Sequence, residues 1–254
     1  MRAICTTALA VGLLAGCADP MTCPRVVYLD GAGWYSGDGP VREGLRRAGF
    51  TGVVERFAWS SGFGPLPDHI VSGRRHARSG ALAKRITELR RANPDGQIVL
   101  MGLSAGTGIV LGGLEKLPDD VAVDHVVLLS PSVSSRWDLL KALRHVNGRL
   151  YATCSPHDGI LPGVIAIGRE GGKPAGLEGF QRPAIFDERR RRQYRKVINL
   201  PWRPGYLAYN WDGGHVSVTH SEFIRVVIAP RIMEDYYHPL DQPLVRLDAR
   251  RAMP

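Results

Sequence analysis

The run Ile98-Val99-Leu100-Met101-Gly102-Leu103-Ser104-Ala105-Gly106 constrains this chain more than any other. It drives an apolar, β-branched strand straight into a helix-compatible segment, with no loop between them. A serine at such a junction sits on a sharp turn in a sparsely populated backbone conformation, so the residues two before and two after it must be small. Gly102 and Gly106 meet that requirement. Thr107-Gly108-Ile109-Val110-Leu111 then supplies residues small enough to pack a helix closely on a sheet. In a chain with 30 glycines, Gly-x-Ser-x-Gly also arises by chance. Its meaning comes from the strand before it and the helix after it.

The same alternation runs through most of the chain. Arg25 to Asp30 is a predicted strand stopped by Gly31-Ala32-Gly33, Val41 to Gly49 has helical spacing closed by glycine, and Val53 to Trp59 is a second strand. Ser60 to Asp68 is rich in Gly and Pro and reads as a loop. Ala77 to Ala92 is a helix ended by Asn93-Pro94-Asp95-Gly96, directly before the Ile98 strand. Beyond Leu111, a strand is expected over Val123 to Ser130, a helix over Arg136 to Val146 and a strand over Arg149 to Cys154. Leu161 to Arg192 breaks the rhythm and reads as an irregular insertion over the site. A last strand falls between Val197 and Tyr209, and Ser221 to Ile232 reads as a closing helix. Strands joined by helices imply right-handed crossovers and a mostly parallel sheet covered on both faces, which is a three-layer α/β/α sandwich. With 254 residues, 44% of them hydrophobic, there is material for one such core.

The first residues are set aside from the fold. Arg2 followed by Ala8-Leu9-Ala10-Val11-Gly12-Leu13-Leu14 is a charged start and a short apolar core, too short to span a bilayer as a helix. Leu14-Ala15-Gly16-Cys17 resembles the lipobox of bacterial lipoproteins, in which the cysteine carries a diacylglyceryl group. That likeness implies a signal peptide over residues 1–16, lipidation at Cys17, an anchor and linker over 17–24, and a cell-envelope location held by a membrane anchor. The domain is then expected over 25–240, with a tail over 241–254. If the lipobox is not used, the chain is expected to be secreted. Cys23 and Cys154 remain, and the topology puts them at opposite ends of non-adjacent strands, so free thiols are expected. The formal net charge is +9, of which this leader carries only Arg2. Arginines are scattered through helical segments, and Arg189-Arg190-Arg191-Arg192 reads as a solvated helix face. No nucleic-acid partner is implied.

A serine hydroxyl needs an adjacent base, a carboxylate to orient that base, and donors for the developing oxyanion. The chain presents Ser104, then Asp158 in Ser155-Pro156-His157-Asp158-Gly159 after a strand, then His215 in Trp211-Asp212-Gly213-Gly214-His215. Asp158 competes with Asp138, read as an early helix residue, and with Asp124, which precedes a strand. His215 competes with His220 on the closing helix and with His157 beside the acid. Serine, acid, histidine is the chain order of the α/β-hydrolase superfamily, and from about Val26 to Ile232 the sequence resembles that family. The resemblance implies an elbow nucleophile at Ser104 and oxyanion-hole amides at Ala105 and Ala32, with Gly31 as neighbour. Where the family commonly begins its oxyanion loop with His-Gly, this chain has Asp30-Gly31-Ala32-Gly33. Backbone donation needs loop geometry rather than a histidine.

These readings lead to an ester-cleaving serine hydrolase acting through an acyl-enzyme on a small-molecule or lipid ester, without metal or nucleotide cofactor. Two other readings stay open. One is an acyltransferase on the same fold, and the other is an envelope lipoprotein that binds a ligand or partner without turnover. A dinucleotide site is disfavoured because the glycine fingerprint after the first strand is incomplete. No Cys/His spacing matches structural zinc. Trp34, Trp59, Trp137, Trp202 and Trp211 read mostly as core or loop anchors, and Trp34 and Trp59, which follow strand ends, are also candidates to line a cleft.

Overall fold

A computed structural model describes residues 23–33, 35–59, 72–163, 172–184, 187–233 and 242–244. The leader, Cys17, Trp34 and the whole Ser60 to Asp68 loop lie outside them. Six parallel strands form the sheet: β1 (Arg25–Leu29), β2 (Val53–Arg56), β3 (Ile98–Leu103), β4 (His125–Leu129), β5 (Leu150–Cys154) and β6 (Val197–Pro201). A two-residue strand, β7 (Gln242–Pro243), pairs antiparallel with β6, giving the order β2-β1-β3-β4-β5-β6-β7. The sheet thus takes in residues that sequence reading left to the tail.

Strand order reverses at β1, which pairs with β2 on one side and β3 on the other. Each strand of the central sheet is buried throughout, because helices cover both faces. The two-residue period then divides the core. Val26 and Tyr28 of β1, Val99 and Met101 of β3 and Val127 of β4 pack with α1 (Asp38–Arg47) and the C-terminal helical segment. Val27 and Leu29, Ile98 and Leu100, and Val126 and Leu128 pack on the other face with α2 (Ser72–Ala92) and α3 (Gly106–Leu114). This is a three-layer α/β/α sandwich with a mostly parallel sheet.

The elements depart from expectation where a specific partner intervenes. The helix expected over Arg136 to Val146 shrinks to α4 (Leu140–Leu143). Its start is fixed by the Leu139 N–H donating to the Tyr194 hydroxyl at 2.9 Å, and its end by Val146 bridging Val123 as in a sheet. β2 stops at Arg56 rather than Trp59, whose indole turns back to donate to the Asp30 carbonyl at 2.7 Å. The insertion after β5 contributes α5 (Ala175–Glu178) and α6 (Glu188–Tyr194). Instead of lying free over the sheet, α5 is tied to it. Ala175 and Gly176 donate to the carbonyls of Val133 and Pro131, and Ser155 donates to Gly176. The closing helix begins as α7 (Ser221–Phe223), widens to a π segment over Ile224–Ile228 and continues as α8 (Ala229–Met233). Pro230 accounts for the irregularity, since it has no N–H and its ring crowds the carbonyl four residues earlier.

Cys23 lies before β1 and Cys154 ends β5, and both are buried and unbridged. Burial pushes the Cys154 thiol up to about 12. Arg190 of the basic run pairs with Asp138 and Asp187, and Arg191 with Glu188, so two of its four charges lie in ion pairs.

Candidate active site

The Ser104 backbone has φ +50°, a left-handed conformation that bulky residues avoid. The surroundings hold it there. Its N–H donates to the Leu129 carbonyl at 2.9 Å, and its own carbonyl accepts from Thr107 at 3.1 Å as α3 begins. The flanking glycines are required by close approach. A Cβ on Gly106 would collide with the carbonyl oxygen of Asp30. On Gly102 it would lie 3.0 Å from Val110 Cγ2 and 3.2 Å from the Gly106 carbonyl carbon. The motif therefore does structural work at both ends, docking α3 against β1 and β3 while the serine is held at the carboxyl edge.

Asp158 and His215 meet from separate loops that follow the carboxyl ends of β5 and β6. His215 Nδ1 is 2.7 Å from Asp158 Oδ2, and both side chains are buried. The other carboxylate oxygen, Oδ1, accepts the N–H groups of Ile160 and Leu161, each at 3.0 Å. With the carboxylate ionised it can only accept, so Nδ1 is then the donor in this contact and a neutral imidazole keeps its lone pair on Nε2. That is the tautomer a general base requires.

The competing residues have other partners. Asp138 accepts from the Leu140 N–H and from the Arg190 and Tyr194 side chains. These contacts hold its carboxyl below the usual range against the opposing effect of burial. Asp124 lies at the amino end of β4, bound to Arg90 and the Ile98 amide. His220 caps α7 by accepting from the Glu222 N–H at 3.2 Å. His157 is exposed, with its ring edge-on to Trp202 at 4.5 Å between centroids.

The loop that carries His215 is pinned from within. Trp211 donates its indole N–H to the Gly214 carbonyl at 3.2 Å, and Trp202 donates to the Trp211 carbonyl at 3.0 Å. Asp212 Oδ1 accepts from the Gly214 N–H at 2.8 Å and from the Ser217 hydroxyl at 2.5 Å. These bonds, the Ser217 hydroxyl first, draw the Asp212 carboxyl below its ordinary value. Gly213 has φ +91°, and a Cβ there would sit 2.8 Å from Ser155 Oγ, so this position needs glycine for both conformation and space.

The loop after β1, described at Asp30 to Gly33 and Tyr35 to Gly37, borders the serine. Gly31 touches the serine so closely that a Cβ on it would lie 3.2 Å from Ser104 Cβ. Ala32 follows, half-buried, and Ala105 is buried at the start of α3. Among the described residues, no hydrogen bond engages the N–H of either alanine. The departure from His-Gly has a structural consequence. Asp30 turns its carboxylate into the loop, accepting the Gly37 N–H at 2.7 Å, the Ser36 hydroxyl at 3.1 Å and Arg56 Nε at 2.9 Å.

Sequence reasoning missed this anchoring role. Its signal was a carboxylate directly at a strand end before a glycine loop. Of the two readings of Trp59, anchor and cleft residue, the first holds: it is only 2% exposed and its indole holds the Asp30 carbonyl. A second left-handed serine, Ser130 with φ +41°, ends the neighbouring β4, with its N–H donating to Thr153 Oγ1 at 2.8 Å. Among the described residues, no cluster of three or more His, Cys, Asp or Glu side chains offers a metal site.

No protein-family model and no curated protein sequence matches the chain. Among solved structures it is similar to a cutinase-like protein from Cryptococcus sp., at 13% identity and TM-score 0.45, over 82% of this chain and 93% of that one. It is also similar to the esterase Pf2001 of Pyrococcus furiosus, at 15% identity and TM-score 0.48, over 79% of this chain and 77% of that one. A third likeness is to the Trichoderma reesei cutinase in complex with a C11Y4 phosphonate inhibitor, at 11% identity and TM-score 0.41, over 85% of this chain and 78% of that one.

Proposed function

We propose that this protein is a serine hydrolase that cleaves carboxylic esters through an acyl-enzyme. The observation that carries the reading is the buried 2.7 Å contact between His215 Nδ1 and Asp158 Oδ2, which leaves Nε2 as the basic nitrogen at the edge of the sheet where the strained Ser104 is presented. In this reading His215 takes the proton of Ser104 as the hydroxyl attacks the ester carbonyl. Asp158, fixed by two backbone amides, stabilises the imidazolium that forms. The N–H groups of Ala105 and Ala32 stabilise the oxyanion, one such donor being worth about 3 kcal/mol of barrier. His215 then returns the proton to the leaving alcohol, and water repeats the sequence in reverse to release the acid.

The reading is tested with p-nitrophenyl esters of increasing acyl length. The wild-type chain is expected to release nitrophenol and carboxylic acid in equal amounts, and Ser104→Ala to release neither above background. Turnover by Ser104→Ala equal to wild type would overturn it. Adding a primary alcohol as acceptor separates an acyltransferase from a hydrolase, because an acyltransferase would form the new ester in preference to the acid. The lipobox adds a second element to the proposal: Cys17 carries the lipid that holds the enzyme at the bacterial envelope. Acyl chains bury about 0.8 kcal/mol per methylene, so several make a durable tether. In a bacterial expression host, labelled palmitate should enter the wild-type protein and not Cys17→Ser.

A further inference from the structure

The proposed chemistry demands that the oxyanion donor and the base keep a fixed mutual position, yet they sit on two different loops. Asp30 organises the first loop internally, through Ser36 and Gly37. Asp212 and Trp211 organise the second, through Gly214 and Ser217. Neither set of bonds crosses from one loop to the other.

Tyr35 does cross. Its hydroxyl lies 2.5 Å from Thr219 Oγ1 and 3.4 Å from the Val216 carbonyl. Thr219 Oγ1 in turn donates to the Val216 carbonyl at 2.8 Å. Each hydroxyl has one proton and both reach the Val216 carbonyl, so either can be the donor of the 2.5 Å contact; the shorter Thr219 to Val216 bond favours the phenol as donor and Thr219 Oγ1 as acceptor. The result is a relay of hydrogen bonds from Tyr35 through Thr219 to the carbonyl of the residue next to His215. Such chains polarise each other, which favours the complete relay over its parts. A packing contact reinforces it. Gly37 lies against Thr219 so closely that a Cβ there would be 3.0 Å from Thr219 Cγ2. Thr219 is fully buried whereas Tyr35 is 39% exposed, so the phenol reaches inward from the rim to a fixed point. Since Gly31 of the same loop touches Ser104, the loop contacts the candidate nucleophile at one end and the histidine loop at the other.

We propose that Tyr35 is a positioning residue that locks the oxyanion loop to the His215 loop through the hydroxyl of Thr219. The catalytic consequence rests on the hydrolase reading given above. The mechanical consequence, that the two loops are ordered as one unit, does not. A displacement of about 1 Å in a catalytic group can cost about a hundredfold in rate, so a clamp between the loops acts on kcat.

The test uses the full chain with Tyr35→Phe, Thr219→Val and the double variant, with p-nitrophenyl acetate as substrate and hydrogen exchange read by mass spectrometry. Tyr35→Phe is expected to lower kcat about tenfold, the equivalent of one hydrogen bond, with KM changed less than about twofold. Thr219→Val should lose a similar amount, and the double variant little more than either, because both remove the same link. Thr219→Ser, which keeps the hydroxyl, should recover most of the rate. Amides of residues 31–37 and 216–219 should exchange faster together in Tyr35→Phe.

Unchanged kcat in Tyr35→Phe, or losses that simply add in the double variant, would overturn the clamp. So would faster exchange confined to one loop. If the wild-type chain proves inactive on esters, the hydrolase reading fails while the exchange experiment still decides the clamp.

Discussion

The two edges of the sheet use charged residues in opposite ways. At the amino edge, Arg25 and Arg85 both bind Glu55, at 2.5 and 2.8 Å. Arg90 joins Asp124 at 3.0 Å and also donates to the carbonyls of Ala122, Pro94 and Gly96. At the carboxyl edge, the buried Asp158 has one oxygen on two amides and the other on His215, and the imidazole keeps a basic nitrogen. The backbone differs as well. Among the described residues, the three non-glycine positions with left-handed φ are Ser104, Ser130 and Asn210, all in segments that follow the carboxyl ends of strands. Charge by itself does not mark the candidate site. What marks it is backbone strain at the end of β3 and, at the same edge of the sheet, a buried pair with one functional group left over.

Substitutions at the two edges should therefore fail in different ways. Ser104→Ala is expected to reduce kcat/KM on an ester by at least about 10⁴-fold while shifting the melting temperature by no more than about 2 °C. Steady-state kinetics and a thermal scan check both halves. Asp158→Asn should cost about 10³- to 10⁴-fold in kcat, because an amide facing Nδ1 permits the wrong tautomer. The loss should persist across the pH profile.

Glu55→Ala should do the reverse. It is expected to leave kcat of the folded protein unchanged and to lower stability by about 2 kcal/mol in chemical denaturation, since it strips a carboxylate from the largely buried Arg25. Burial works to raise the Glu55 carboxyl, but the hydrogen bonds and charge of Arg85, and then of Arg25, outweigh it and hold it below its ordinary value of 4.5. A depressed carboxylate contributes stability above its unfolded pKa and loses it as pH falls through the folded one. Wild-type stability should thus decline below about pH 4.5, and Glu55→Gln should show a shallower decline over that interval. The smallest effect is expected at Asp212→Ala, a few-fold fall in kcat from a loosened His215 loop, with the melting temperature unchanged.

Much of this comparison was legible in the sequence, and its gaps have physical causes. The β3 to α3 junction declared itself because only small residues tolerate the close approach of Gly102 and Gly106, and steric need of that kind leaves a local pattern. Asp158 was preferred as the candidate acid because it follows a strand, whereas Asp124 precedes one and Asp138 reads as an early helix residue, and His215 as the candidate base because it sits in a loop after two glycines. Asp30 was not legible as an anchor, since its partners Ser36, Gly37 and Arg56 are gathered by tertiary structure rather than by spacing. Nor was the link from Tyr35 to Thr219, which joins residues 184 positions apart. The expected helix over Arg136 to Val146 failed for a related reason. Its apolar spacing is genuine, but Tyr194 and Val123 claim the backbone at its ends.

The most direct test of the account is covalent labelling with a fluorophosphonate, followed by mass spectrometry of the modified peptide. A phosphonyl adduct on Ser104, formed by the wild type and lost together with all labelling in Ser104→Ala, is the predicted result. Labelling that persists in Ser104→Ala, or an adduct mapped to Ser130 instead, would contradict the claim that the strained serine at the end of β3 is the nucleophile.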